Sequence, residues 1–443
     1  MINVGISEGF HDSAITVLNG QDILYAAHGE RWTKIKNDPI LDTELIPLKY
    51  DTINFYEKPF LKNTRRLFAG QKWQTHKRKY DNYFGHHETH AAAGYYTSPF
   101  NECNVIVIDA IGEWNTVSIW ECKDNEMKKI KSWNYPYSLG LLYSAITQRI
   151  GLKPNEDEYI TMGMAAFGEP IYDLEYLLHK NNHRGVGRLL PTAHPRDLAA
   201  SVQNLYETKL LQLLKYCEYN NLILAGGCAL NCVANSKIPD RFNIWIMPSP
   251  GDAGSSLGAA ALVEKKKINW QHPYLGHTTH RKIKTPKEIA KYIVEHGVCG
   301  VSNGKAEFGP RALGNRSLLA DPRLDIKDTV NEIKQRQKFR PFAPAILEEH
   351  FDDYFVGRKN RYMQFVSKAK HDYHSVTHVD GTARVQCVEK DNISILRLIL
   401  EEFYELTGVP MLLNTSLNIK GQPISNSHKD ADRFEKKYGV KVF

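Results

Sequence analysis

The sequence predicts an α/β protein built from more than one unit. Two patterns predict it: short apolar runs ending in Gly, Asp or Pro, and helix-length stretches that alternate with them. The 443 residues also exceed a single core, since ~150 residues per domain makes about three structural units.

The elements follow in order. Residues 2–7 (INVGIS) and 14–18 (AITVL), then an NGQD turn and ILYAAHGER, read as a three-strand meander. VIVIDA (105–110), LILAGG (222–227) and IWIMPSP (244–250) read as buried strands that deliver their C-terminal ends to loops. Between and after them, LYSAITQRIGL, LAASVQNLYETKLLQLLKYCE and SSLGAAALVEKKK read as helices. Around 264–287 the texture turns polar and basic without a period, which places a linker there. IAKYIVEHG and VCGVSNG then open a second α/β or α+β unit as helix and strand. No repeat, heptad or low-complexity tract is visible.

Composition bounds the function. No run approaches the ~18 apolar residues of a membrane span, and MINVGISEGFHDS lacks the basic and apolar regions of a secretory leader. The seven cysteines are odd in number and sit in apolar or small-residue contexts, so they read as packed thiols of a reducing, cytoplasmic compartment. The pair Cys228 and Cys232 is read the same way rather than as metal ligands. A net charge of +7 on this length is mild and identifies no partner by itself.

Three constellations carry chemistry. On a helix, His86 and His90 project from one face, a spacing that lets two imidazoles share a divalent metal. Asp109, ending a strand, and Asp252, where another strand feeds a small-residue helix, could complete a set that suits Fe(II) better than structural zinc. Their alternatives are a turn residue for Asp109 and a helix N-cap for Asp252. The second constellation is Gly226 and Gly227, with Asn231 behind them, following a strand and opening a helix whose N–H groups face an anion, or else a tight packing turn. It matches neither a P-loop nor a dinucleotide fingerprint. The third is Arg-rich: Lys305, Arg311, Arg316, Arg336, Arg340 and Arg384 stand among glycines, prolines and aromatics, followed by Asn414, Ser416 and Asn418. Guanidinium forks held in this way recognise phosphates and carboxylates; a structural ion-pair network is the alternative.

These residues resemble a known family, the O-carbamoyltransferases of the nodulation-factor and antibiotic-tailoring type. GHHETHAAAGYYTSPF, DAIGEWNT, MGMAAFG, AGGCALNCVAN and PGDAGSSLGAA are similar to its metal and nucleotide half, and EFGPRALGNRSLLADPR, KFRPFAPAIL, DGTARVQ and LNTSLNIKGQPI to its C-terminal half. The resemblance implies residues 1–275 as a threonylcarbamoyl transferase-like domain of actin/Hsp70 (ASKHA) duplicated architecture, and 276–443 as a YrdC-like domain. It implies that the second domain makes carbamoyl-adenylate from carbamoyl phosphate and ATP, with Mg2+, and that the first passes the carbamoyl group to an acceptor hydroxyl. It implies iron on His86, His90, Asp109 and Asp252, a nucleotide site along Gly112, Gly226, Gly227, Asn231 and Gly254, and the Arg-rich set, with Asn414, Ser416 and Asn418, on carbamoyl phosphate and ATP. His11, beside Asp12, resembles the general base; an ordinary pKa of ~6.5 suits it to neutral pH.

For the acceptor, the window 61–80 holds Lys62, Arg65, Arg66, Lys72, Lys77, Arg78 and Lys79 and no acid, with Phe68, Trp73 and Tyr80 interleaved. The remaining residues sum to zero charge. Basic groups with aromatics suit a phosphate backbone and an unstacked base, so the expected acceptor is a hydroxymethylated pyrimidine such as 5-hydroxymethylcytosine in DNA. The alternatives are a sugar, antibiotic or free nucleotide, or a non-catalytic nucleotide-binding switch. Homodimerisation is left open.

Overall fold

A computed structural model describes residues 1–75, 78–280 and 284–443. The chain divides into two units: Met1–Gly29 with Asp38–Gln271, and Glu30–Asn37 with His272–Phe443.

In the first unit β1 (Ile2–Ser7), β2 (Ala14–Asn19) and β3 (Asp22–His28) form the expected meander; β4 (Thr52–Phe55) and β5 (Asn82–Tyr83) extend it in parallel. The order is β3-β2-β1-β4-β5. β6 (Glu102–Ile108), β7 (Asn115–Lys123) and β8 (Glu126–Asn134) repeat the meander, and β9 (Asn221–Ala225) and β10 (Asn243–Trp245) repeat the parallel extension, giving β8-β7-β6-β9-β10. One plan used twice is the duplicated actin/Hsp70-like architecture. Asp124 and Asn125, both at positive φ, make the two-residue turn between β7 and β8, where a primed turn matches the strand twist. The repetition lies in topology and not in sequence, which is why no period was visible.

The helices of this unit are α2 (Pro59–Phe68), α3 (His86–Thr97), α4 (Leu139–Arg149), α5 (Glu158–Ala165), α6 (Pro195–Leu213), α7 (Cys232–Asn235) and α8 (Asp252–Ala261), while α1 (Glu30–Thr33) belongs to the second unit. Small residues set the closeness of α8. A Cβ on Gly5 of β1 would stand 1.8 Å from Ser256 O, and one on Gly258 would stand 1.9 Å from Thr89 O of α3. β1, α8 and α3 are therefore in backbone contact, and the N-terminal turns of the two helices lie side by side.

The second unit holds β11 (Tyr274–Thr279) paired with β13 (Gly304–Glu307), and a sheet ordered β12-β14-β20-β15-β19 from β12 (Val298–Ser302), β14 (Arg316–Ala320), β15 (Ala343–Leu347), β19 (Gln386–Val388) and β20 (Met411–Ser416). β16 (Phe355–Val356), β17 (Ser367–Ala369) and β18 (Thr382–Ala383) form a small sheet. Its helices are α9 (Pro286–His296), α10 (Lys327–Ile333), α11 (Phe351–Tyr354), α12 (Ile395–Thr407) and α13 (His428–Tyr438). The core of α9, α12 and the main sheet is apolar throughout, with Ile293, Leu319, Ile346 and Phe403 fully buried.

Two expectations are corrected. The linker near 264–287 contains strand β11 and the start of α9; its polar texture reflects an edge pairing rather than a free connection, and Arg281–Ile283 lie outside the described residues. The turn at Gly226–Gly227 opens a 3-10 turn (Gly227–Leu230) and the single-turn α7, not a full helix. The seven thiols are unpaired, and Cys103, Cys122, Cys232, Cys299 and Cys387 are buried. Among the described residues no helix is long and apolar enough to cross a membrane.

Candidate metal centre

His86 opens α3 behind Gly85, whose N–H donates to the Glu88 carboxylate. His90 lies one turn on, Asp109 follows β6, and Asp252 is the first residue of α8. Ligand atoms of these four buried side chains lie within 4.8 Å of one another. His86 Nε2 is 3.1 Å from His90 Nε2, 3.0 Å from Asp109 Oδ2 and 3.4 Å from Asp252 Oδ1; His90 Nε2 is 3.3 Å from Asp252 Oδ1. Asp252 is thus drawn into the cluster, and Gly251 takes the N-cap position.

The donor set fits a divalent cation. Two imidazole nitrogens aimed at one point beside two carboxylates repel each other unless a cation or shared protons stand between them. The far sides of the rings are arranged for this. His90 Nδ1 is 3.1 Å from Pro250 O, to which it donates, leaving Nε2 with its lone pair inward. His86 Nδ1 faces Glu57 Oε2 at 3.7 Å, and Glu57 Oε1 accepts from Lys62 Nζ at 2.6 Å. Such outer partners fix a ligating histidine's tautomer and orientation. Glu113 Oε1 accepts the backbone N–H of both His86 and Lys58 at 2.9 Å, and Gly227 N donates to Asp109 Oδ1 at 3.3 Å. His87 turns away to Ser118 Oγ at 2.8 Å, and burial followed by the charge on His86 keeps it neutral.

Without a cation the cluster is held by protons. Burial and Asp252 oppose ionising Asp109, yet His86 and His90 bring its carboxyl to about 2. Burial likewise opposes ionising Asp252, which His86 and His11 hold well below the usual carboxylate range. His11 Nδ1 is 3.0 Å from Asp12 Oδ2, and its Nε2 is 3.8 Å from Asp252 Oδ2. Burial lowers its proton affinity, but Asp252 and Asp12 outweigh that and raise its pKa to about 9. This corrects the ordinary value expected of it.

The glycines around the centre act through space. A Cβ on Gly112 would stand 3.0 Å from the His86 ring, one on Gly226 (φ +87°) 2.2 Å from Ile108 O, and one on Gly254 1.8 Å from Ser249 O. Gly227 lies against Asp109. Asn231 accepts from Ala234 N at 3.0 Å and pairs with Gln203.

In the second unit Arg316 is corrected: it is fully buried, and its guanidinium donates to the carbonyls of Asn303, Asn315, His277, Gly304 and Asn426 and to Thr279 Oγ1. With every N–H engaged by the fold it has none for a phosphate. Asn414 donates to Ala312 O and Gln386 Oε1 and is buried. Lys305 is exposed, and Arg311, Arg336, Arg340 and Arg384 are half-buried. Arg336 lies 3.9 Å over the Phe342 ring and donates to Asn331 Oδ1 at 2.7 Å. Lys334 stands in the same Arg-rich stretch but was assigned no role from the sequence; its Nζ donates to Ser416 O at 2.5 Å and to Asn418 Oδ1, while Ser416 Oγ donates to Asn418 at 2.7 Å. Burial, then Arg336 and Arg340, push its ammonium well below the usual lysine range.

The basic window is also corrected. Lys62 pairs with Glu57, Arg78 with Glu8 at 3.2 Å, and buried Arg65 donates to Glu113 O at 3.1 Å and Gln71. Arg66, Lys72 and Lys79 remain outward or half-buried, Trp73 and Phe68 are exposed, and Tyr80 is buried against Phe55; Lys77 lies outside the described residues.

Comparison with known proteins follows this geometry. Residues 290–443 match the model of the carbamoyltransferase C-terminus, and 49–186 and 184–261 that of the carbamoyltransferase N-terminus. The chain is 31% identical to an uncharacterized protein of Synechocystis sp., covering 97% of this chain and 93% of that one. It is 32% identical to nodulation protein NolO of Bradyrhizobium diazoefficiens, covering 78% of this chain and 75% of that one. Among solved structures, the activator of 2-hydroxyisocaproyl-CoA dehydratase from Clostridium difficile aligns at TM-score 0.40 and 14% identity over 59% of this chain and 94% of that one.

Proposed function

From a chain that belongs to the carbamoyltransferase family, and is therefore an enzyme of carbamoyl transfer, we propose an ATP-dependent O-carbamoyltransferase. In the YrdC-like second unit water splits carbamoyl phosphate into carbamate and phosphate, and the carbamate oxygen then attacks the α-phosphate of ATP, with Mg2+, giving carbamoyl-adenylate and releasing pyrophosphate. The acceptor hydroxyl then attacks the carbamoyl carbon in the first unit and AMP leaves. The observation that carries this reading is the convergence of His86, His90, Asp109 and Asp252 in a chain that matches both carbamoyltransferase halves.

When bound there, a divalent cation such as Fe(II) supplies Lewis-acid charge for the leaving phosphate. Glu57 and Pro250 O hold the two imidazoles in ligating orientation, and Gly227 N holds Asp109. With Asp252 and Asp109 committed as ligands their pull on His11 falls. Asp12 then keeps the His11 Nδ1–H, leaving Nε2 to take the hydroxyl proton. Gly112, Gly226, Gly227, Asn231 and Gly254 form the floor against which the adenylate lies. Lys305, Arg311, Arg336, Arg340 and Arg384, with Ser416, Asn418 and Lys334, serve the carbamoyl phosphate and ATP phosphates; the buried Lys334 ammonium close to Arg336 and Arg340 favours an anion there.

For the acceptor we take the hydroxymethylated pyrimidine of DNA. Exposed Phe60, Phe68 and Trp73 beside Arg66 and Lys72 support it, as stacking faces next to cations do. A small-molecule hydroxyl is the second reading, favoured by the inward pairing of Lys62, Arg65 and Arg78. The test incubates the protein with carbamoyl phosphate, ATP and either hydroxymethylcytosine DNA or small alcohols, reading pyrophosphate release and acceptor mass. Transfer is expected, with metal binding and transfer both lost in His86→Ala. Pyrophosphate release with no mass gain on DNA, alongside a gain on a small alcohol, sinks the DNA reading.

A further inference from the structure

Outside the metal centre, Arg149, Arg184 and Arg188 line one cavity of about 600 Å3 in the first unit, and no acidic side chain lines it. That volume lies within the ~300–1,000 Å3 of small-ligand sites. Arg149 ends α4, while Arg184, at the end of a 3-10 turn (Asn182–Arg184), and Arg188 are solvent-exposed at the rim. Arg149 fastens α4 to their loop by donating from Nε to Leu189 O at 2.7 Å and from Nη2 to Leu190 O at 2.9 Å. Gln148 packs directly against Gly185, whose Cβ position would stand 2.4 Å from its Oε1. Arg184 and Arg188 have no ion pair among the described residues.

The positive charge continues next door. Arg65 Nη1 lies 3.4 Å from His183 Nε2, and the His183 ring lies 5.5 Å from Tyr135. Burial, then Arg65 and Arg66, lower the proton affinity of His183 to about 4, so it adds no charge of its own. Guanidiniums gathered without counter-charge repel one another, and a bound oxyanion relieves that repulsion while accepting their forked N–H groups. The cluster is also tied to the metal centre. Arg65 donates to Glu113 O, and Glu113 Oε1 accepts the His86 N–H. At the other end of α4, Ser138 Oγ donates to Ala110 O at 2.6 Å, one residue after Asp109. The length of α4, ~16 Å at 1.5 Å per residue, therefore separates the cavity from the ligands, so any phosphate it takes is remote from the reacting hydroxyl.

We propose that this cavity is a phosphate-ester subsite for the acceptor, with Arg184 and Arg188 as its specificity-determining residues. The proposal rests on the transferase reading above and narrows it: the molecule whose hydroxyl is carbamoylated also carries phosphate. A nucleotide's own 5′-phosphate lies too near its base to span the length of α4, so the ester is a flanking phosphate of a strand.

The test is binding, by calorimetry on the full chain, of three probes: 5-hydroxymethyldeoxycytidine, its 5′-monophosphate, and a short single-stranded oligonucleotide carrying the same base. The oligonucleotide is expected to bind about tenfold or more tightly than either the nucleoside or the monophosphate, as charge-assisted hydrogen bonds allow. That advantage is expected to disappear in the Arg184→Gln/Arg188→Gln double variant and persist in the Arg184→Lys/Arg188→Lys variant. An advantage confined to the oligonucleotide and falling with salt supports the proposal; one shown equally by the monophosphate overturns it, since that phosphate sits at the reacting nucleotide. No advantage for either, or an advantage that survives the Gln variant, overturns the proposal. Pyrophosphate release from ATP and carbamoyl phosphate is measured in parallel on the unsubstituted chain. Its absence overturns the transferase reading, whereas its presence without phosphate discrimination overturns the subsite alone.

Discussion

Glu57 illustrates what a single residue contributes to the metal centre. It is 1% exposed, its carboxylate is paired with the buried Lys62 ammonium, and its second oxygen faces His86 Nδ1. Burial alone would raise its carboxyl, but Lys62 and His86 lower it, so it stays ionised behind the histidine. Glu57→Gln keeps the shape and removes the charge; metal affinity is expected to fall about 10–100-fold, read by titration of the metal with the protein. Unchanged affinity would reduce Glu57 to a partner of Lys62. The convergence of His86, His90, Asp109 and Asp252 was legible because i, i+4 histidines and aspartates where strands meet loops are local patterns. Glu57 and Lys62 were not, because a Glu five residues before a Lys gives no hint that both are buried against a histidine from another helix. Arg316 was misread for a related reason: its chain neighbours do not reveal that carbonyls from β11, β13 and the loop at Asn426 take its N–H groups.

At the scale of elements, the centre depends on how closely α8 and α3 approach. Gly258→Ala would place a methyl 1.9 Å from Thr89 O, where backbone cannot yield, so the helices must part and carry Asp252 away from His90. The expected cost is about 1–3 kcal/mol, visible as a lowered Tm and weaker metal binding together. Gly163 in α5 is the contrast, with nothing within 4 Å of its Cβ position. Gly163→Ala is expected to stabilise by about 0.5–1 kcal/mol through helix propensity, with metal binding unaffected. Equal effects at both positions would refute the packing argument. Small-residue runs such as AAAG and GSSLG let backbones approach; which backbone meets which was decided only by the sheet order.

At the scale of the whole molecule, the chain's two units are not two continuous stretches, since Glu30–Asn37 belongs with His272–Phe443. Within that unit Lys34 Nζ lies 2.5 Å from Asp430 Oδ2. Burial would raise the Asp430 carboxyl, but Lys34 and the Ser427 and Asn426 N–H groups bring it down to about 2. A native pKa below the unfolded ~3.9 means the stabilisation is complete above about pH 4 and is lost as pH falls toward 2, amounting to about 1–2 kcal/mol. Urea unfolding between pH 6 and 2.5 is expected to show that loss, and Asp430→Asn is expected to remove it while lowering stability at pH 6. An identical pH slope in both proteins would exclude Asp430 as its source. By itself the sequence determined the α/β class, the opening meander and the candidate ligands His86, His90, Asp109 and Asp252, because buried strands and helix faces write their periods locally. Only the tertiary structure decided which charges are free. Pairing over long separations turned Arg65, Arg78 and Arg316 inward and gathered Arg149, Arg184 and Arg188 around one cavity, and a guanidinium's partners are set by where the fold brings distant carbonyls and carboxylates, which no window of sequence contains.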